Sequence, residues 1–315
     1  MVEILLDGVE QSRRDVALKD FKRTLGFLPE LHHLIDKIVV ASDFCSTIRL
    51  YTRHLDYESI HEYGQAVGKT LPTREGNELR FVIVFDGKVF GSWAPERRLD
   101  RMKSLWHELA HVGDMTRQAR AVGLDVFFSE PKSKRDALLK YCWNIWMEYN
   151  AERAYAESLT PAFSETIGVE YDFLADTMGY IRTLSEQIDG LRDYLNANIR
   201  NLEGGRVAFE EAVLRVNSRL NSILILMAYV LSIETLDAGV KSRVIELRQK
   251  QNFLLFLSED FDSIACLLDR LFACGGEYRE DLLQNMGGHI DSIYRKCGMH
   301  VKDLDGTYHI NLYPV

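Results

Sequence analysis

Hydrophobic residues recur at three- and four-residue steps through Leu99, Met102, Leu105, Trp106 and Leu109. With Pro95-Glu96 suited to a first turn, residues 95–119 read as one amphipathic helix. Upstream, Leu79-Arg80-Phe81-Val82-Ile83-Val84-Phe85 is rich in β-branched and aromatic residues and reads as a strand. The following Asp86-Gly87 predicts a turn into Lys88-Val89-Phe90, and so a hairpin leading into the helix. Downstream, Ser133 resembles an N-terminal cap. From Ala137 to Leu159, residues Leu138, Tyr141, Cys142, Ile145, Trp146 and Tyr149 keep helical spacing.

A longer pattern follows. Leu174, Ile181, Leu184, Ile188, Leu191, Leu195 and Leu202 fall on one alternating frame, with Thr177 and Asn198 filling it, until Gly204-Gly205 breaks the chain. The frame resumes at Phe209, Val213, Val216, Leu220, Ile223, Met227 and Val230. Residues 170–233 therefore predict an antiparallel helical hairpin with arms of about 25–30 residues, each about 40 Å long. The first arm is polar outside its seam. The second also carries Leu224, Ile225, Leu226 and Leu231, which require burial against a third element. Such a hairpin can be part of an internal bundle, or an arm that makes a homodimer or binds a protein partner.

Residues 240–274 read as helical up to Gly275-Gly276. Gly287-Gly288 and Gly298 bound a short helical segment around Ile290 to Tyr294, and residues 306–313 alternate like a strand that can pair with a sheet edge. The expected class is α+β and predominantly helical. Residues 1–160 form a core of a small sheet and two helices, and 161–315 form a helical domain.

Composition bounds the function. A chain of 315 residues with 46% hydrophobic and 27% charged residues can bury a large core. A net charge of −9 offers no electrostatic footprint for nucleic acid or an anionic membrane. The most apolar run, Ile223 to Ile233, is far short of the ~20 residues that span a bilayer. Cys45, Cys142, Cys266, Cys274 and Cys297 form no close metal-binding pair and suit reduced thiols. The start, Met1-Val2-Glu3-Ile4-Leu5-Leu6-Asp7, lacks the basic and apolar regions of a secretory signal, so the expected location is the cytoplasm.

The candidate chemistry lies in His107-Glu108-Leu109-Ala110-His111. On a helix the two histidines share a face, about 5–6 Å apart at Cβ, and both can reach one ion. Glu108 is turned to the side of the pair, where its carboxylate can take a proton from a metal-activated water. A catalytic zinc site usually takes a third protein ligand. Glu148 and Glu152, four apart, share a face of the second helix, so one can bind metal while the other orients a ligand histidine. Asp114 is a further candidate acid.

The two segments together resemble the gluzincin metallopeptidases. The second is similar to the Glu-x-x-Ala-Asp pattern of the HtpX-like and related minimal soluble gluzincins, with Glu152 standing where that family carries Asp. The resemblance covers residues 79–159 and implies a zincin-like core in which His107, His111 and Glu148 bind Zn2+. It also implies that Glu152 supports a ligand from behind and that Glu108 is the general base of peptide-bond hydrolysis. Tyr141, Tyr149, Tyr155, Tyr308 and His309 are candidate donors to the oxyanion. A strand at 79–85, if it is a sheet edge, can take up an extended peptide. The substrate is then a peptide or protein. One alternative is a non-enzymatic zincin-fold regulator or sensor acting through its hairpin; another is a helical scaffold in which the pattern is incidental.

Overall fold

The computed structural model describes residues 2–52, 60–61, 64–65, 67–90, 98–159, 172–304 and 307–315. It is predominantly helical with a small mixed sheet. Contacts group the chain into two compact units, Met1–Phe128 with Glu157–Val169, and Ser129–Ala156 with Glu170–Val315. The helix carrying Glu148 thus groups with the later helices.

The first unit contains β1 (Glu3–Leu5), α1 (Arg14–Leu25), β2 (Ile35–Ala41) and α2 (Phe44–Thr52). These are followed by β3 (Ile60–His61), β4 (Gly64–Gln65), β5 (Gly68–Glu75), β6 (Glu78–Asp86), α3 (Gly87–Phe90), α4 (Arg98–Val122) and α5 (Leu124–Phe127). The main sheet has the order β1-β2-β6-β5, parallel except for β5. Its central strands are buried on both faces, which explains the continuous apolar runs of β2 and β6. Strand alternation divides the core. Phe81, Ile83 and Phe85 pack with Leu105, Leu109 and Val112 of α4 and with Phe21 of α1. Val82 and Val84 pack with Phe44 and Ile48 of α2.

The predicted strand is β6, but the hairpin lies on its other side. β6 pairs with β5 through Gly76-Asn77, where Gly76 has φ of 60°, and residues 87–90 turn into a helix instead. Asp86-Gly87 has a different physical role from the hairpin turn it suggests. A Cβ on Gly87 would lie 2.5 Å from the Ala41 carbonyl and 2.8 Å from Gly8 Cα, so glycine permits a close backbone approach there. β6 is an interior strand, and among the described residues β5 is the last strand of the sheet. Helix α4 is described from Arg98, so the first turn assigned to Pro95-Glu96 lies outside the described residues.

The second unit is built around α6 (Lys134–Ala154), capped by the Ser133 hydroxyl accepting from Asp136 N. Trp143, Trp146, Tyr149, Met147 and Ala151 are buried around its circumference, as expected of a central helix. The unit continues with α7 (Phe173–Asp189), α8 (Leu191–Glu203), α9 (Phe209–Glu234), α10 (Ala238–Arg248), α11 (Gln251–Phe256), α12 (Ser258–Ala273) and α13 (Glu280–Lys296), of which α9, α12 and α13 pack on α6. The strands β7 (Met299–Leu304) and β8 (Thr307–Leu312) complete the unit.

The predicted hairpin is present with a divided first arm. Tyr180 meets Tyr229, the Gln187 amide donates to Ser222, and the Tyr194 hydroxyl donates to the Arg215 carbonyl. Each step of seven along one arm is matched by seven back along the other, which is an antiparallel heptad register. Gly190 interrupts the first arm. There Asn252 Nδ2 donates to the carbonyls of Ile188 and Asp189 at 2.9 and 2.8 Å, satisfying orphan groups at the α7 end. The second arm, α9, packs on α6, α7 and α8, so the hairpin belongs to an internal bundle. Among the described residues α9 is the one helix long and apolar enough to cross a membrane, yet 72% of its apolar window is buried inside the protein.

Two further differences concern the C-terminal part. Gly287-Gly288 lies within the 17-residue α13 rather than before a short helix. A Cβ on Gly287 would stand in ordinary contact with α6, 3.4 Å from Leu138 Cβ and 3.6 Å from Cys142 Sγ, so this glycine faces α6 and leaves room for little more than a methyl. The terminal strand pairs antiparallel with β7 in a separate two-stranded sheet.

Candidate metal centre

Helix α4 uses Leu105, Leu109 and Val112 to cover the sheet. At about 100° per residue, Glu108 falls some 60° from the middle of that stripe, and His111 and His107 lie progressively further round. The carboxylate therefore reaches the sheet margin while the imidazoles turn away from the sheet. The two rings meet edge to face with centroids 4.5 Å apart; His111 is buried and His107 half-buried.

Glu108 is buried against β5. The Thr70 hydroxyl lies 2.7 Å from Glu108 Oε2 and 2.9 Å from the Glu108 carbonyl, shared between two acceptors. Oε1 lies over Gly68, where a Cβ would approach it to 2.8 Å. Gly68 and Thr70 pair with Phe85 and Ile83, on the face of the sheet that α4 covers.

On α6, Glu148 is half-buried and its Oε2 accepts from the Tyr229 hydroxyl at 2.7 Å. Tyr229 packs on Tyr180, with ring centroids 4.7 Å apart. Burial, and then the negative Glu148 beside it, push the phenol well above its ordinary pKa, so it stays a donor. Glu152, one turn further on, is buried and contributes to the same field at Tyr229.

One potential ligand atom from each of His107, His111 and Glu148 lies within 4.8 Å of the other two. Among the described residues this is the group of histidine, cysteine and acidic side chains arranged to hold an ion. Glu152 and Asp114 fall outside it; Asp114 is fully buried and paired with Arg117. Two imidazole nitrogens and one carboxylate oxygen are a donor set that could hold a metal ion.

Of the tyrosines considered as oxyanion donors, Tyr149 donates to Asp269 at 2.5 Å and Tyr155 is buried. Tyr141 packs edge-on against Tyr294. His309 is exposed on β8. Thr70, Gly68 and Tyr229 were not foreseen. For Tyr229 a signal existed: a phenol inside Leu226-Met227-Ala228-Tyr229-Val230-Leu231 must find a partner when buried. For the β5 pair there was none.

No protein-family model matches the chain, and no curated protein or solved structure matches it either.

Proposed function

We propose that this protein is a zinc-dependent metallopeptidase. The observation that carries the reading is the convergence of His107, His111 and Glu148 within 4.8 Å, with Glu108 between the two histidines in sequence. His107, His111 and Glu148 would hold the ion, with Tyr229 orienting Glu148. When bound, zinc supplies Lewis acidity to the scissile carbonyl and brings the pKa of a water toward ~7. Glu108 takes the proton of the attacking water and delivers it to the leaving amine, as base and then acid.

The substrate in this reading is an extended peptide that adds to β5, not to the interior β6. The Asp86 N–H donates to the Val67 carbonyl, so residues 67, 69, 71 and 73 bond inward to β6. Gly68 and Thr70 then direct their backbone N–H and C=O groups to the sheet edge. Pro72, which has no N–H to give, occupies an outward position where the ladder loses nothing.

The test is metal analysis of purified wild type and His107→Ala, followed by peptide-library digestion with wild type and Glu108→Gln. Zinc in the wild type, its loss in His107→Ala, and metal-replete but inactive Glu108→Gln are expected. Equal zinc in wild type and His107→Ala would sink the metal site. A zinc-loaded wild type that cleaves nothing would instead favour a regulatory or sensor role.

A further inference from the structure

We infer that Gly68 and Thr70 of strand β5 form the seat of the general base, with Thr70 the positioning residue that holds the Glu108 carboxylate in one place. The inference rests on the peptidase reading and adds to it a residue outside the motif helix.

A glutamate side chain has three rotatable bonds, and an unheld carboxylate samples several positions around its helix. General-base catalysis needs one position, within hydrogen-bond reach of the attacking water. Here the Thr70 hydroxyl, itself buried, bonds Oε2 at 2.7 Å. The other oxygen, Oε1, occupies space that exists because residue 68 has no side chain: a methyl there would stand 2.8 Å from Oε1 and 2.8 Å from Cε1 of the fully buried Phe85. Thr70 also lies 2.9 Å from the Glu108 carbonyl, so its single proton has a second acceptor when the carboxyl becomes protonated. The hydroxyl is thereby satisfied before and after proton transfer, and Glu108 need not move between them.

The same two residues turn their backbone polar groups to the sheet edge. In the proposed reading, the strand that aligns the peptide is the strand that aligns the base. A shift of β5 would move both together and preserve their spacing.

Thr70→Val, which keeps the shape and removes the donor, is compared with Thr70→Ser, which keeps the donor. Zinc content and zinc affinity should match the wild type in both, because the three ligands are untouched. For the best peptide cleaved by the wild type, kcat should fall about 10–100-fold in Thr70→Val with KM within about twofold, and Thr70→Ser should restore most of it. Crystals of the metal-free variants supply a readout independent of activity. The Glu108 carboxylate should leave Gly68 in Thr70→Val and remain there in Thr70→Ser. Full kcat in Thr70→Val, equal loss in both variants, or an unmoved carboxylate in Thr70→Val overturns the inference. A zinc-loaded wild type without peptidase activity overturns the underlying reading and the role in proton transfer together; the crystals then distinguish this failure from a seat that does not hold Glu108.

Discussion

Tyr229 and Thr70 hold two carboxylates by the same physical device. A hydroxyl removed from water must donate or lose the free energy of an unmade bond, and an anion is the strongest acceptor near each of them. Tyr229→Phe keeps the packing on Tyr180 and removes that donor, so metal affinity should drop about 10–100-fold in a competition titration. Unchanged affinity would show that Glu148 needs no such support. The thiols offer an independent check of the packing. Burial pushes Cys297 up to about 12 and Cys142 further still. At pH 8 a thiol reagent should label the exposed Cys266 rapidly and should reach Cys142 and Cys297 only on unfolding; rapid native-state labelling of Cys142 would contradict its burial.

At the scale of elements, the glycine pair in α13 separates packing from propensity. Gly287 faces Leu138 and Cys142, whereas a Cβ on Gly288 would meet nothing within 4 Å. Gly288→Ala should therefore stabilise by about 0.5–1 kcal/mol through helix propensity alone. Gly287→Val should destabilise by about 1–3 kcal/mol by forcing α13 from α6. Denaturant titration reads both, and a common sign would refute the assignment of faces.

The α12–α13 contact has a pH dependence. Asp260 accepts from His289 Nδ1, Ser292 Oγ and Lys296 Nζ, each at 2.9 Å. Burial by itself would raise its carboxyl, but these hydrogen bonds together outweigh burial and hold it below the ordinary 3.8. A carboxyl depressed by folding stabilises at pH above its unfolded value. That contribution fades as pH falls through the lower folded value. Asp260→Asn should cost about 1–3 kcal/mol at neutral pH. The difference from wild type should shrink below pH about 4, and a constant difference down to pH 2 would remove the charge from the explanation.

For the whole molecule, the consequence of the proposed centre is linkage. Zinc that binds the folded chain alone should raise the melting temperature; at a hundred times its Kd the stabilisation is about 2.7 kcal/mol. Chelation should reverse the rise, and His111→Ala should abolish it. A melting temperature indifferent to zinc in the wild type would argue against the site.

Local patterning located the elements. The motif helix and the heptad seams follow from helical spacing, the β6 strand from its continuous apolar run, and the Ser133 cap from its residue type, because each is a property of one short segment. Partners are not encoded locally. Asp86-Gly87 has the composition of a turn, yet its glycine admits the backbone of Gly8 and Ala41. At Gly190 the first arm breaks, and the carbonyls exposed there find a donor in Asn252, more than sixty positions later.

The same division holds for the site. By itself the sequence placed two imidazoles and a carboxylate at metal-binding spacing on one helix and offered several acids as a third ligand. Only the tertiary structure grouped Glu148 with the histidines, gave it Tyr229, and set Glu108 on Gly68 and Thr70 of β5. Spacing within a helix is fixed by 3.6 residues per turn, whereas a bond between distant elements depends on how all the intervening surfaces are buried.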